Sequence, residues 1–202
     1  MRLNCNFLKV LFVVTILTLV SCSDNYKQRR IYTENLELIL QYPESFREMD
    51  AHQWNELLIN LEAQNTGRNV DLSSFYRATT QLVIQHSELD YFFITTQSRK
   101  QFSKLEKTFK EANRLINEEN YTMVNFIFPD VVFDSISATI NVNGYDFFSY
   151  RVKASWYGFI QYAEILRAEV DKSVLTTGIF YQDTLFGNQM REAFVSSKIR
   201  SR

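Results

Sequence analysis

The dipeptide Asn143-Gly144 constrains the fold of this chain more than any other local feature. It separates two runs rich in β-branched and aromatic residues, Ser137-Ala-Thr-Ile-Asn-Val142 and Tyr145-Asp-Phe-Phe-Ser-Tyr-Arg-Val152. A two-residue type I′ turn needs positive φ at both central positions, and Asn followed by Gly adopts them at low cost. Residues 137–152 are therefore expected to form a β-hairpin. An isolated hairpin is marginal in water, so it must lie against helices or pair with another strand.

Most of the remaining chain reads as helix by period. Thr33 is placed to cap a short helix through Leu36, Ile39 and Leu40, ended by Pro43. Trp54, Leu57, Leu58 and Leu61 recur at spacings of three and four, with Asp50 as N-cap and Gly67 as a stop. A longer stripe, capped by Asp71, runs from Leu72 through Leu82, Val83, His86 and Leu89 to Ile94. Another, capped by Ser98, carries Phe102, Leu105, Phe109, Ala112 and Ile116 opposite a charged face. Trp156, Phe159, Ile160, Ala163, Leu166 and Val170 return to helical spacing. Residues 176–181 read as one more strand and 185–197 as a closing helix before a basic tail. Five Gly and two Pro are few breakers, which favours long regular elements. The expected fold is α+β and mainly helical: antiparallel helices with a β-hairpin in the C-terminal half packed on them.

The N-terminus carries an address. Arg2 and Lys9 precede an apolar stretch from Val10 to Val20, which ends in Leu19-Val20-Ser21-Cys22. The apolar run is too short to span a bilayer, because Ser23, Asp24 and Asn25 follow at once. The segment resembles a bacterial lipoprotein signal peptide with its lipobox. That resemblance covers about a tenth of the chain and implies cleavage before Cys22, acylation of Cys22 and residence at a membrane of the cell envelope. Several acyl chains together would make attachment effectively permanent. Ser23 stands where an aspartate would retain an enteric lipoprotein in the inner membrane, so the outer membrane is the expected location. On this reading residues 1–21 are signal, 22–32 a polar tether and 33–202 one α+β domain.

Composition narrows the function classes. Arg2 and Lys9 leave with the signal, taking two of 22 basic side chains against 23 acidic ones. A mildly acidic mature chain gives no electrostatic case for nucleic acid. With Cys5 in the signal and Cys22 acylated, neither of the two cysteines is left for a disulfide or a metal.

Candidate chemistry is sparse. His86 and Asp90, four apart on an expected helix, are weak candidate metal ligands, as are His52 and Glu56. A third ligand is not identifiable, and no metal or cofactor is assigned. The sequence has no Gly-x-Ser-x-Gly elbow, no His-Glu-x-x-His and no phosphate-binding glycine loop. Tyr150, Trp156 and Tyr157 form a candidate binding patch beside the core reading of the same aromatics. Asp134-Ser135-Ile136 and Asp183-Thr184-Leu185 resemble the Asp-Ser/Thr-aliphatic acceptor of Bacteroidetes O-glycosylation, which makes Ser135 and Thr184 candidate sites. The expectation is a lipid-anchored envelope protein, not an enzyme, that binds an envelope protein or assembles into a secretion, motility or uptake machine. An enzyme acting on glycan or peptide and a self-associating structural lipoprotein are the alternatives.

Overall fold

The computed structural model describes residues 25–33, 35–64, 80–102, 108–127 and 132–202. Strand dominates, and this overturns the mainly helical expectation. β1 (Tyr26–Tyr32) pairs antiparallel with β2 (Leu36–Pro43), so most of the segment read as a tether is a strand. In β2 the alternate residues Leu36, Leu38, Leu40 and Tyr42 are buried, a period of two that excludes the short helix expected there. β3 (Arg47–Glu48) leads into α1 (Ala51–Gln64). Asp50 caps α1 as expected: its carboxylate accepts from Gln53 N at 2.8 Å, and Gln53 reaches back to Asp50 N at 3.3 Å.

β4 (Thr80–Gln85) and β5 (Tyr91–Ser98) take up residues 80–94 of the longest predicted helix, whose start at 72–79 lies outside the described residues. The physical reason lies in Leu82-Val83-Ile84 and Phe92-Phe93-Ile94. All six side chains are buried, because the sheet is covered on both faces. A strand buried on both sides loses its alternation, and a dense apolar run then satisfies helical spacing by default. α2 (Arg99–Phe102) and α3 (Phe109–Ile127) follow. The hairpin is present: β6 (Val132–Val142) and β7 (Tyr145–Trp156) pair across Asn143 (φ 52°) and Gly144 (φ 89°). β8 (Phe159–Val170) replaces the helix expected there, β9 (Ser173–Tyr181) extends the expected strand, α4 (Thr184–Val195) is the expected closing helix, and β10 (Lys198–Ser201) takes up the basic tail.

The strands form two antiparallel sheets, ordered β1-β2-β10 and β3-β4-β5-β9-β8-β7-β6. One core joins the small sheet, α4 and one face of the large sheet, through residues such as Leu38, Tyr42, Phe92, Phe147, Leu166, Phe186 and Phe194. On the opposite face α1 sets Trp54 against Val83 and Phe93. Asn143 Nδ2 donates to the Ile199 carbonyl at 2.7 Å, tying the hairpin turn to the small sheet. Cys22 lies outside the described residues, and among those described no helix is long and apolar enough to cross a membrane.

Candidate functional site

α3 crosses the large sheet on the face opposite α4, and two side-chain contacts fix it there. Arg167 of β8, itself buried, donates through Nη1 to Asn113 Oδ1 (3.0 Å) and Asn117 Oδ1 (2.6 Å). Phe109 packs on Phe148 with centroids 5.8 Å apart. Strand alternation puts Arg167 and Phe148 on the same face, since they are direct cross-strand partners.

An open groove remains beside these contacts, between α3 and the β6–β7 hairpin, with a volume of about 630 Å³. Lys110, Arg114 and Asn117 line its helix side, and Ser135, Ser137 and Tyr150 line its strand side. Arg114 pairs with Glu118 one helical turn away, so the helix wall carries both signs of charge. Phe148 and the half-buried Tyr150 give it an apolar wall beside the hydroxyls, amides and paired charges, so its exposed lining is more apolar than polar. Of the expected patch, Tyr150 belongs to this groove. Tyr157 instead stands at the β7–β8 turn, 89% exposed, beside the exposed Phe159 and Ile160. Trp156 ends β7, and its side chain lies outside the described set. Ser135 on β6 is exposed, and so is Thr184, the first residue of α4. Asp183, read above only as part of a glycosylation tripeptide, is the N-cap of α4, accepting from Leu185 N at 2.8 Å.

His86 and Asp90 do not share a helix face. They close the β4–β5 turn, where His86 N donates to the Asp90 carbonyl at 3.0 Å. The Asp90 carboxylate is buried and accepts from the backbone N–H of Gln182 (2.7 Å) and Asp183 (3.0 Å) and from the Ser87 hydroxyl. The His86 imidazole stacks on Phe186, with Nε2 3.6 Å from Asp183 Oδ2. His52 and Glu56 are 3.6 Å apart on the exposed side of α1. Among the described residues no group of three or more His, Cys, Asp or Glu side chains is arranged to hold a metal ion.

Sequence reasoning missed a buried charge cluster. Glu164 of β8 is 1% exposed. It accepts from Ser149 Oγ (2.8 Å), Arg151 Nη2 (3.1 Å) and Arg191 Nε (3.3 Å). Tyr181 lies near it, stacked on Tyr162 at 5.1 Å. Burial pushes the Tyr181 phenol above its usual range, Arg151 pulls it back and Glu164 pushes it up. Read with a period of two, Glu164 shares a face with Leu166, Ala168 and Val170, which was the available signal that its charge needs buried partners.

No family model and no curated protein matches the chain. Its fold is similar to that of cyanobacterial PsbP (CyanoP) from Synechocystis sp. PCC 6803, solved in solution, with 8% identity and a TM-score of 0.50 over 90% of this chain and 95% of that one. At that identity the likeness is one of fold alone. A crystallised protein from Bacteroides thetaiotaomicron VPI-5482 aligns with 82% of this chain and 45% of its own length, at 8% identity and a TM-score of 0.44.

Proposed function

We propose that this protein is a lipid-anchored subunit of the bacterial cell envelope, residing at the outer membrane, that binds an envelope protein partner rather than turning over a substrate. The groove between α3 and the β6–β7 hairpin carries the binding half of this reading: it is open, mixed in polarity and built on a helix and a regular hairpin. The Leu19-Val20-Ser21-Cys22 run supports the anchoring half. The partner presents a segment of mixed polarity whose polar groups meet Asn117, Ser135 and Arg114 and whose apolar side chains lie on Tyr150 and Phe148.

Two arms test it in the native host. Cys22→Ala abolishes incorporation of labelled fatty acid and releases the protein from membranes; unchanged labelling defeats the anchor. Arg114→Glu combined with Tyr150→Ala leaves the melting temperature within a few degrees and lowers recovery of the crosslinked envelope partner at least tenfold. Full recovery from that double variant defeats the groove.

A further inference from the structure

Among the described residues β6 is an edge strand, and it lacks the features that guard the other edges. Among the described residues the opposite edge of the large sheet, β3, is two residues long and both are charged. The small sheet ends in β1, which carries Lys27, Arg29 and Arg30, and in β10, four residues long with Lys198 and Arg200. Short length and edge charge are the usual defences against strand addition. β6 runs for 11 residues, pairs with β7 in unbroken register without a bulge, contains no Pro or Lys, and has Asp134 as its one charge. Residues 134–139 are exposed on both faces, Ile136 at 63%.

The hairpin turn fixes which backbone groups of β6 face outward. A two-residue turn makes its flanking residues, Val142 and Tyr145, a hydrogen-bonded pair. Every second residue back from Val142 then bonds to β7: Ile140, Ala138, Ile136 and Asp134. The N–H and C=O of Asn141, Thr139, Ser137 and Ser135 point away from the sheet and have no backbone partner among the described residues.

We infer that β6 is a strand-addition edge whose occupant is β6 of a second copy of this chain, paired antiparallel about a two-fold axis at Ala138. Charge and side-chain matching favour self-pairing. In that register Ser137 meets Thr139 of the second copy, Ser135 meets Asn141, Ile136 meets Ile140, and Asp134 meets Val142. Hydroxyls and amides oppose one another on the groove face, isoleucines oppose one another on the other face, and the two aspartates never face each other. The parity of the register places the outward-facing residues opposite outward-facing residues, giving roughly eight new backbone hydrogen bonds. A single strand pair buries less than the roughly 1,600 Å² of a standard interface, so the dimer is reversible and concentration-dependent. The inference does not depend on a partner in the groove or on the lipid anchor.

Ala138→Cys in the otherwise full-length chain tests it. Across the axis the two Cα atoms lie about 4.5 Å apart, within disulfide range. Mild oxidation in the host should give a band at twice the monomer mass on a non-reducing gel. The band should vanish with reductant and be absent from the parent chain. Adding Ser137→Pro should abolish it, because that ring removes an outward N–H without breaking a bond to β7. Circular dichroism reports whether this variant is folded; if it is not, Thr139→Lys is the second blocker. A monomer alone, a dimer that survives a folded blocking variant, or a crosslink solely to a different protein would each overturn self-pairing.

Discussion

Arg191 of α4 reaches Glu164 of β8, its Nε 3.3 Å from the carboxylate, and so joins the closing helix to the middle of the large sheet. Arg151 holds the same carboxylate from β7 at 3.1 Å. Glu164 is buried while both arginines are partly exposed, so the two partners are redundant in one direction only. Arg151→Ala or Arg191→Ala alone should cost about 1–2 kcal/mol, because one guanidinium and Ser149 still satisfy the carboxylate. Removing both strands a buried charge and should cost about 3–5 kcal/mol or more, exceeding the sum of the single changes. Urea denaturation of the three variants measures this. Additive costs would mean that the arginines do not share Glu164.

Gly178 in β9 faces Phe93 in β5 across the sheet, and the ring occupies the space a side chain would need. A Cβ at Gly178 would lie 2.3 Å from the Phe93 ring. Since Phe93 also packs against Trp54 and Phe180, it has little room to yield. Gly178→Ala should therefore destabilise by about 1–3 kcal/mol through overpacking. Phe93→Leu should recover part of that cost in the double variant, although it is itself destabilising. Thermal melts of the single and double variants provide the check, and the absence of any recovery would place the strain elsewhere.

These two relationships show where the sequence was readable. Asn143-Gly144, the Asp50 cap of α1, β9 and α4 were accessible because each rests on local chemistry: a turn dipeptide, a capping side chain, a short apolar strand and an amphipathic stripe. β4 and β5 were not, because Val83 and Phe93 are buried on one face while Leu82, Ile84, Phe92 and Ile94 are buried on the other. β8 was misread because Glu164 and Arg167, polar residues that a helical reading sends to solvent, are both buried on opposite faces of a strand. In the groove, Tyr150 stood out as a hairpin aromatic. The link from Arg167 to Asn113 and Asn117 joins elements 50 or more residues apart and has no local signature.

Tyr42 should shape the alkaline limit of stability. Its ring is fully buried and its hydroxyl donates to Glu48. Burial first, and then the Glu48 carboxylate, push its phenol far above the ordinary tyrosine range. Tyr91 and Tyr181 shift the same way, mainly through burial. A group whose pKa is raised on folding contributes stability that is full below its unfolded value, about 10 for tyrosine, and is lost as pH rises toward the folded value. The urea midpoint should therefore fall steeply above about pH 10. Tyr42→Phe should cost about 1 kcal/mol at neutral pH and flatten that fall. An alkaline slope equal to that of the parent chain would exclude Tyr42 as a contributor.

Tyr157 is the sharpest case in which local strain and binding can be separated. It adopts φ 44° at the β7–β8 turn, followed by Gly158 at φ 85°, and is 89% exposed. A bulky side chain in the left-handed region costs about 1 kcal/mol, and backbone strain of this kind gathers at functional sites. Asn143-Gly144 shows in the same sheet what an unstrained version looks like, with φ 52° and 89° at its two positions. Tyr157→Asn copies that dipeptide and should raise stability by about 0.5–1 kcal/mol, seen as a higher melting temperature. If the exposed ring is a contact for the proposed envelope partner, the same variant should also lower recovery of any crosslinked partner. Higher stability with full recovery would leave Tyr157 as a turn residue and nothing more.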